Sequence, residues 1–313
     1  MSENENKLVS VLLPAFNASQ FIEQAIESIL NQTYSNLELL IVDDASSDNT
    51  YKKIEKYLYD NRVKLFSHKE NKGYLGSINF LFSECSGEYI TFLDADDWCR
   101  EDRIALLVSA FDRDAELGCV GSFCSRLYLD GKEELVTFEN QYEKILNKLP
   151  ERFEFIGAAL MVKKSVLEHI GGYETFFDRI GAEHLYWGGK IILKFKTINL
   201  PEPLYHYREV SNSFSDSNKK KIMGQLSTEM AKYAIYFLKN YQIDIFLFEN
   251  VNLKKSILNF LLMKYYFWND YYFQGLKHYI LSFFYADFNS TERSSLIKMY
   301  TNKKIRFFLT RST

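Results

Sequence analysis

The chain has 313 residues, 47% of them hydrophobic and 25% charged, with a formal net charge of −3. That length holds one large domain or two modest ones, and the balance excludes an intrinsically disordered chain. The four cysteines, Cys85, Cys99, Cys119 and Cys124, form no C-x-x-C pair, which argues against a zinc centre and for free thiols in a reducing compartment.

Met1 to Asn6 is polar and acidic and runs straight into an apolar stretch, a pattern unlike a signal peptide. No stretch reaches the ~18 apolar residues of a membrane-spanning helix. Leu8 to Leu13 is a continuous apolar run, as in a buried parallel strand, and Pro14 closes it. Asn17 or Ser19 is placed to cap a helix whose stripe is Phe21, Ile22, Ala25, Ile26, Ile29 and Leu30. Leu37 to Val42 reads as a second buried strand, ending in Asp43-Asp44. Ser46, Ser47 and Asp48 can cap a helix from Tyr51 to Leu58. Val63 to Ser67 is a third strand, and Gly73 and Gly76 mark a loop into a helix over Ser77–Ser83. Tyr89 to Phe92, β-branched and aromatic, is a fourth strand that runs into Asp94-Ala95-Asp96-Asp97-Trp98. This alternation predicts an α/β fold, a mostly parallel sheet with helices on both faces.

Beyond Trp98 the pattern predicts a helix from Glu101 to Phe111 and a strand near Val120–Phe123. Phe155 to Val162 is apolar, Gly171-Gly172 is a turn, and Leu200-Pro201-Glu202-Pro203 reads as a stiff connector. From Lys219 onward there is no strand signal; helical periodicity fits Met223–Leu238, Leu253–Trp268 and Tyr271–Phe284. The charge is uneven: residues 219–313 carry roughly +9 and the remainder roughly −12.

Three carboxylates within four residues repel one another, so Asp94, Asp96 and Asp97 need a cation, a proton or a very wet site. Hard oxygen donors without nearby Cys or His favour Mg²⁺ or Mn²⁺. The competing reading is an acidic turn with one Asp capping the next helix. In open α/β sheets, ligands bind beyond the carboxyl ends of the strands. Two such ends carry paired acids here. The simplest ligand is a nucleotide with a metal-bound diphosphate, one acidic group accepting from base or ribose and the other holding the cation. No G-x-G-x-x-G or G-x-x-x-x-G-K-[ST] occurs among the 14 glycines, which argues against a dinucleotide oxidoreductase and a P-loop NTPase.

Four segments, in order, resemble the family 2 inverting glycosyltransferases. They are Val9-Ser10-Val11-Leu12-Leu13-Pro14-Ala15-Phe16-Asn17, Gln32 to Asp48 with its Val42-Asp43-Asp44-Ala45-Ser46 core, Asn71-Lys72-Gly73 through Asn79, and Phe92-Leu93-Asp94-Ala95-Asp96-Asp97-Trp98. The resemblance is strong over residues 8–98, weaker to about 215 and absent beyond. It implies a GT-A fold with a nucleotide-sugar-binding half (residues 1–98), an acceptor-binding half (99–215) and a helical C-terminal extension (216–313). It implies a nucleotide-sugar donor, most often a UDP-sugar. Pro14, Ala15 and Asn17 would border base and ribose, and Asp44 would hydrogen-bond the pyrimidine. Asp94 and Asp96 match the motif for metal and diphosphate, with Asp97 as a further ligand; Asp48 is assigned to capping. Many relatives carry Arg at the position of Ile78, so here more phosphate charge would fall to the metal.

In the second half, Gly157-Ala158-Ala159-Leu160-Met161 and Ile170-Gly171-Gly172-Tyr173 resemble the segment lining the acceptor cleft. Gly181 to Lys190 matches the family's Glu-Asp-to-Arg element, with Glu183 on the Glu, Lys190 on the Arg and His184 where the base Asp is expected; anchoring on Trp187 slides Glu183 onto the base instead. Either group can take a proton from an acceptor hydroxyl. Glu183 is favoured because a carboxylate also stabilises positive charge at the anomeric carbon. The bland alternatives are an exposed His184 and a Glu183–Lys190 salt bridge. Tyr205-His206-Tyr207-Arg208 resembles a later Tyr-Arg element, with Val210 where a His is common and the part of His206 open.

The end of the chain mixes Lys with aromatics, as in Lys264-Tyr265-Tyr266-Phe267-Trp268 and Lys303-Lys304-Ile305-Arg306-Phe307-Phe308. Two readings are open: a peripheral contact with anionic lipid, and a helical cap whose aromatics fill a core or a homodimer contact. Nucleic-acid binding is disfavoured, because the basic residues form no dense stripe. The expected function is metal-assisted inverting transfer from a nucleotide-sugar to a glycan or lipid-linked saccharide. Its expected setting is bacterial cell-envelope polysaccharide assembly, in the cytoplasm or on the inner membrane face. One competitor is a donor-binding subunit without a working base. The other is a nucleotidyltransferase on a related fold, which would want a basic loop that Pro14–Ser19 lacks.

Overall fold

The computed structural model describes residues 7–209, 218–242, 244 and 246. The chain divides into two compact units, Met1–Ile243 and Asp244–Thr313, and every element described belongs to the first. The expected helices at Leu253–Trp268 and Tyr271–Phe284, and the basic aromatic clusters, lie outside the described residues.

Strands β1 (Val9–Ala15), β2 (Leu37–Asp43), β3 (Val63–Ser67) and β4 (Tyr89–Phe92) are parallel, in the order β3-β2-β1-β4. Helices α1 (Ile22–Leu30), α2 (Thr50–Glu55) and α3 (Gly73–Glu84) connect them. Every residue of β1 and β2 is buried. A sheet covered on both faces requires this, and it is why these strands are apolar throughout instead of alternating. Parallel pairing brings the end of β1 beside the end of β2, with Ala15 opposite Asp43. The cap expected from Asn17 or Ser19 is absent at α1. Phe21 and Asn49 precede α1 and α2 without a capping bond. Asp48 serves the start of α2 as expected: it accepts from the N–H of Thr50, the helix's first residue, at 2.9 Å and from the Ser19 N–H at 3.1 Å, stapling the loop after β1 to that helix.

The second half contains β5 (Trp98–Cys99), α4 (Arg103–Arg113), β6 (Leu117–Leu127), β7 (Glu133–Val136), α5 (Tyr142–Lys148), β8 (Met161–Lys163), α6 (Lys164–Ile170), α7 (Glu183–Lys194), β9 (Lys196–Arg208) and α8 (Asn218–Tyr241). The sheet continues β4-β8-β6-β9-β5, with β7 beside β6. The parallel arrangement holds as far as β4. There β8 enters antiparallel to both β4 and β6, and the sheet becomes mixed.

The expected connector Leu200–Pro203 lies inside β9. Its pairing with β6 slips around Ser122 and Phe123, and β5 pairs only with Tyr205 and His206. Both prolines therefore fall where the ladder is irregular and one side is open, the places a strand accepts proline. Gly188 and Gly189 lie within α7. A Cβ at Gly188 would stand 2.3 Å from the Phe155 ring, and one at Gly189 2.6 Å from Ile235 of α8. Trp187 donates from Nε1 to the Gly171 carbonyl at 2.8 Å and packs with Phe82, Phe92 and Tyr173. All four cysteines are buried and free. Among the described residues no helix is long and apolar enough to cross a membrane.

Candidate active site

The carboxyl ends of β1, β2 and β4 form one edge, and the acidic residues gather there. Asp94 follows β4; its backbone N–H donates to the Tyr205 hydroxyl at 3.2 Å. The Tyr74 phenol faces its carboxylate and favours the charged form, while Oδ1 is buried without a partner among the described residues. Burial, and after it the charge of Asp96, pushes the Asp94 carboxyl up to about 7. Asp96 is raised too, by burial, against the pull of Arg208.

Asp97 is 1% exposed and both its oxygens are engaged. Oδ2 accepts from the Tyr205 hydroxyl and Oδ1 from the Arg208 N–H, each at 2.7 Å. Burial, then the charges of Asp94 and Asp96, still pushes it up to about 8. Three carboxyls raised together, chiefly by burial, form a site short of positive charge, lined by hard oxygen donors. Among the described residues no three His, Cys, Asp or Glu side chains converge as a ready metal cage. A cation on Asp94 and Asp96 would take further oxygens from its ligand.

Two arginines brace this turn. Arg103 is fully buried; it donates to the Phe92 carbonyl at 3.1 Å, Thr91 Oγ1 at 2.8 Å and the Ala158 carbonyl at 2.9 Å, with its guanidinium over the Tyr205 ring. Arg208 donates to the Asp96 carbonyl at 3.0 Å and to Gln24, and lies 4.6 Å from the ring centres of both Phe21 and Trp98. His206 stacks flat on Trp98 at 4.9 Å, a packing position.

At the other end of the edge, Asp44 is 3% exposed and both its oxygens are engaged. Its oxygens accept from the N–H groups of Lys72 and Gly73 and pair with His68 Nδ1, all at 2.8 Å. Asp44 therefore latches the turn 71–73. The neighbouring Asp43 keeps Oδ1 buried without a partner among the described residues. Pro14 and Ala15 end β1 beside it. Asn17, at φ 49°, accepts from the Ser47 N–H at 2.8 Å and so ties the two loops together. Ile78 is wholly buried on α3, away from any solvent-filled edge.

The third wall is the start of α7. The approach to it is strained: Arg179, Gly181 and Ala182 have φ of 58°, 83° and 71°. Glu183 opens the helix with its side chain 13% exposed, and His184 Nδ1 lies 3.5 Å from its Oε1. Burial raises the Glu183 carboxyl, but the hydrogen bond and charge of His184 outweigh it, and the group ends below the usual carboxylate range. Glu183 and His184 both act on the charge of Asp94, and Glu183 and Asp94 both act on the phenols of Tyr74 and Tyr173. These five side chains thus share one site. Lys190 points elsewhere, to the Ile170 carbonyl at 3.3 Å.

Of the residues expected from sequence, Asp94, Asp96, Glu183 and His184 come together, and Pro14, Ala15, Asn17 and Asp44 line the adjoining end. Tyr74, His68, Arg103 and Arg179 were not foreseen. Their partners lie 20, 24, 11 and 108 residues away or more, so no local pattern marks them.

The family model described as Glycosyl transferase family 2 matches residues 10–171. Glycosyltransferase GlyG of Streptococcus pneumoniae is 29% identical over 226 residues, 66% of this chain and 73% of that protein. An uncharacterized glycosyltransferase of Haemophilus influenzae is 38% identical over 117 residues, 37% of this chain and 36% of that one. The Escherichia coli enzyme UDP-Glc:alpha-D-GlcNAc-diphosphoundecaprenol beta-1,3-glucosyltransferase WfgD is 40% identical over 105 residues, 34% of this chain and 41% of its own. The last two matches span less than half of each relative. Among solved structures, S. aureus TarS 1-349 in complex with UDP-GlcNAc superposes with a TM-score of 0.59 at 14% identity, covering 87% of this chain and 89% of that one. The mannosyltransferase PcManGT of Pyrobaculum calidifontis, in complex with GDP-Man and Mn²⁺, gives 0.55 at 17% identity, covering 96% and 83%. At these identities the likeness is one of fold.

Proposed function

This chain belongs to glycosyl transferase family 2, and we propose that it moves a sugar from a nucleotide-diphosphate donor to a saccharide hydroxyl with inversion at the anomeric carbon. The observation that carries this reading is the buried Asp94 oxygen without a partner among the described residues, in the same site as a half-buried Glu183 whose carboxyl His184 holds below the usual range. A UDP-sugar donor and a lipid-linked saccharide acceptor of bacterial polysaccharide synthesis are supported by WfgD, whose name states both.

Asp94 and Asp96 are the residues that would hold Mn²⁺ or Mg²⁺, whose charge offsets that of a departing diphosphate. Pro14, Ala15 and Asn17 border the base and ribose. Asp44 holds the turn beneath them, and Asp43 Oδ1 is the acceptor left for an N–H of the base. Glu183 takes the proton of the acceptor hydroxyl as its oxygen bonds to the anomeric carbon and the bond to the diphosphate breaks. His184 keeps Glu183 charged, so the base is ready at neutral pH. Tyr74 and Tyr173 exclude water from the donor.

The test is turnover by E183Q and H184A with donor binding measured alongside. The reading expects E183Q to lose at least about a hundredfold in kcat while binding donor normally, and H184A to lose much less. Full transfer by E183Q would remove Glu183 as base. Donor binding by the wild-type chain without any transfer would make it a binding subunit.

A further inference from the structure

Three arginines lie around the site: Arg103 is buried, Arg208 is half-buried, and Arg179 is the one that reaches solvent. Every described contact of Arg103 is to a buried carbonyl or hydroxyl, and Arg208 is held by Asp96, Gln24 and two aromatic rings. Arg179 donates only from Nη2, to the Asn71 carbonyl at 3.0 Å and toward its Oδ1 at 3.4 Å. Nη1 has no partner among the described residues. Its nearest carboxylate, Asp178, is 3.7 Å from Nε, beyond a hydrogen bond. The side chain is 60% exposed, so its ion pair with Asp178 is screened by solvent.

Its position is specific. The Asp178 carboxylate and the Arg179 side chain both lie over Gly73: a Cβ built there would stand 3.2 Å from Asp178 Oδ1 and 4.0 Å from Arg179 Cγ and Nε. The Gly73 N–H is bound by Asp44, at the nucleoside end, and the next residue, Tyr74, turns its phenol toward Asp94, at the acidic end. Arg179 therefore spans the interval between the two ends, where a nucleotide's phosphates would lie. A non-glycine residue at φ 58° costs free energy, and such strain persists where surrounding structure holds it for use.

We propose that Arg179 binds the diphosphate of the nucleotide donor through the free edge of its guanidinium, a planar fork matched to phosphate oxygens. This rests on the donor reading given above and adds a cation that the first half of the chain does not supply. It also links phosphate to base, since α7 begins with Glu183 four residues later.

The experiment measures binding of UDP, GDP, uridine and guanosine to the full chain carrying R179Q or R179K, at fixed Mn²⁺, by calorimetry. Gln retains a donor for the Asn71 carbonyl and removes the charge. Expected is a loss of about tenfold or more by R179Q for whichever diphosphate the wild type binds, a smaller loss by R179K, and nucleoside affinity unchanged within about twofold. Equal diphosphate affinity in R179Q overturns this inference alone. An equal loss for nucleoside and diphosphate also overturns it, reducing Arg179 to a brace for the turn 71–73. A wild-type chain that binds no nucleotide overturns the donor reading and this inference together.

Discussion

The Tyr205 hydroxyl donates to Asp97 Oδ2 at 2.7 Å and accepts from the Asp94 N–H at 3.2 Å. One phenol, carried on β9, thus fixes two members of the acidic turn that follows β4. Asp97 supports the turn, while Asp94 keeps an unused oxygen. Removing the hydroxyl in Y205F leaves Asp97 Oδ2 buried without its donor and the Asp94 N–H without its acceptor. The expected cost is about 1–3 kcal/mol of unfolding free energy, with a fall in kcat larger than any change in donor KM. Urea unfolding and steady-state kinetics measure the two. Unchanged stability and rate would mean that the turn holds itself.

The raised carboxyls make a prediction about pH. A carboxyl whose folded pKa exceeds its unfolded value binds protons more tightly when folded. Its stabilising contribution is complete below about pH 4 and is lost as pH rises through the folded pKa. Asp94 at about 7 and Asp97 at about 8 therefore make the metal-free chain progressively less stable from pH 4 to pH 8. A divalent cation competes with those protons, so the rise in Tm produced by Mn²⁺ is expected to grow between pH 6 and pH 8.5. Thermal unfolding with Mn²⁺ and with EDTA across that range checks it; a shift independent of pH would contradict it.

Glu38 shows the opposite sign. It is 5% exposed, and the bonds from Lys64, Ser10 and Ser86 overcome its burial and bring its carboxyl down to about 2. Its contribution is present above about pH 4.5 and lost as pH falls toward 2, about 3 kcal/mol in all. E38Q is expected to lower stability at pH 7 by a similar order and to flatten the acid side of the stability curve. The same midpoint in urea at pH 7 and at pH 3 for both proteins would contradict it.

Gly157 and His184 meet without room for another atom: a Cβ on the glycine would stand 2.7 Å from the His184 Cβ. G157A is expected to push the start of α7, and Glu183 with it, at a cost of about 1–3 kcal/mol. Since donor contacts lie elsewhere, kcat should fall by an order of magnitude or so with donor affinity retained. Kinetics of G157A against calorimetric donor binding separate the two.

The strands through β4 were legible because buried parallel strands are written as unbroken apolar runs, and the acids ending β2 and β4 stood directly after them. Beyond β4 the reading weakened for identifiable reasons. Pro201 and Pro203 concealed β9, since nothing local reveals an irregular ladder with one open side. Gly188 and Gly189 concealed the middle of α7, since Phe155 and Ile235 approach them only in three dimensions. Within the site, residue types were visible but their occupancy was not. Asp44 and Asp97 looked as available as Asp94 until His68, Tyr205 and the backbone of Lys72, Gly73 and Arg208 were found on their oxygens.

The central claim is that Asp94 and Asp96 hold the cation against which a nucleotide diphosphate binds. Calorimetry of UDP and GDP with the wild-type chain and with D96N, each with Mn²⁺ and with EDTA, tests it most directly. The account predicts tight binding of one diphosphate by the wild type with Mn²⁺, weakened about tenfold or more by EDTA and equally by D96N. Binding that is the same with and without metal, or that survives D96N intact, would contradict it.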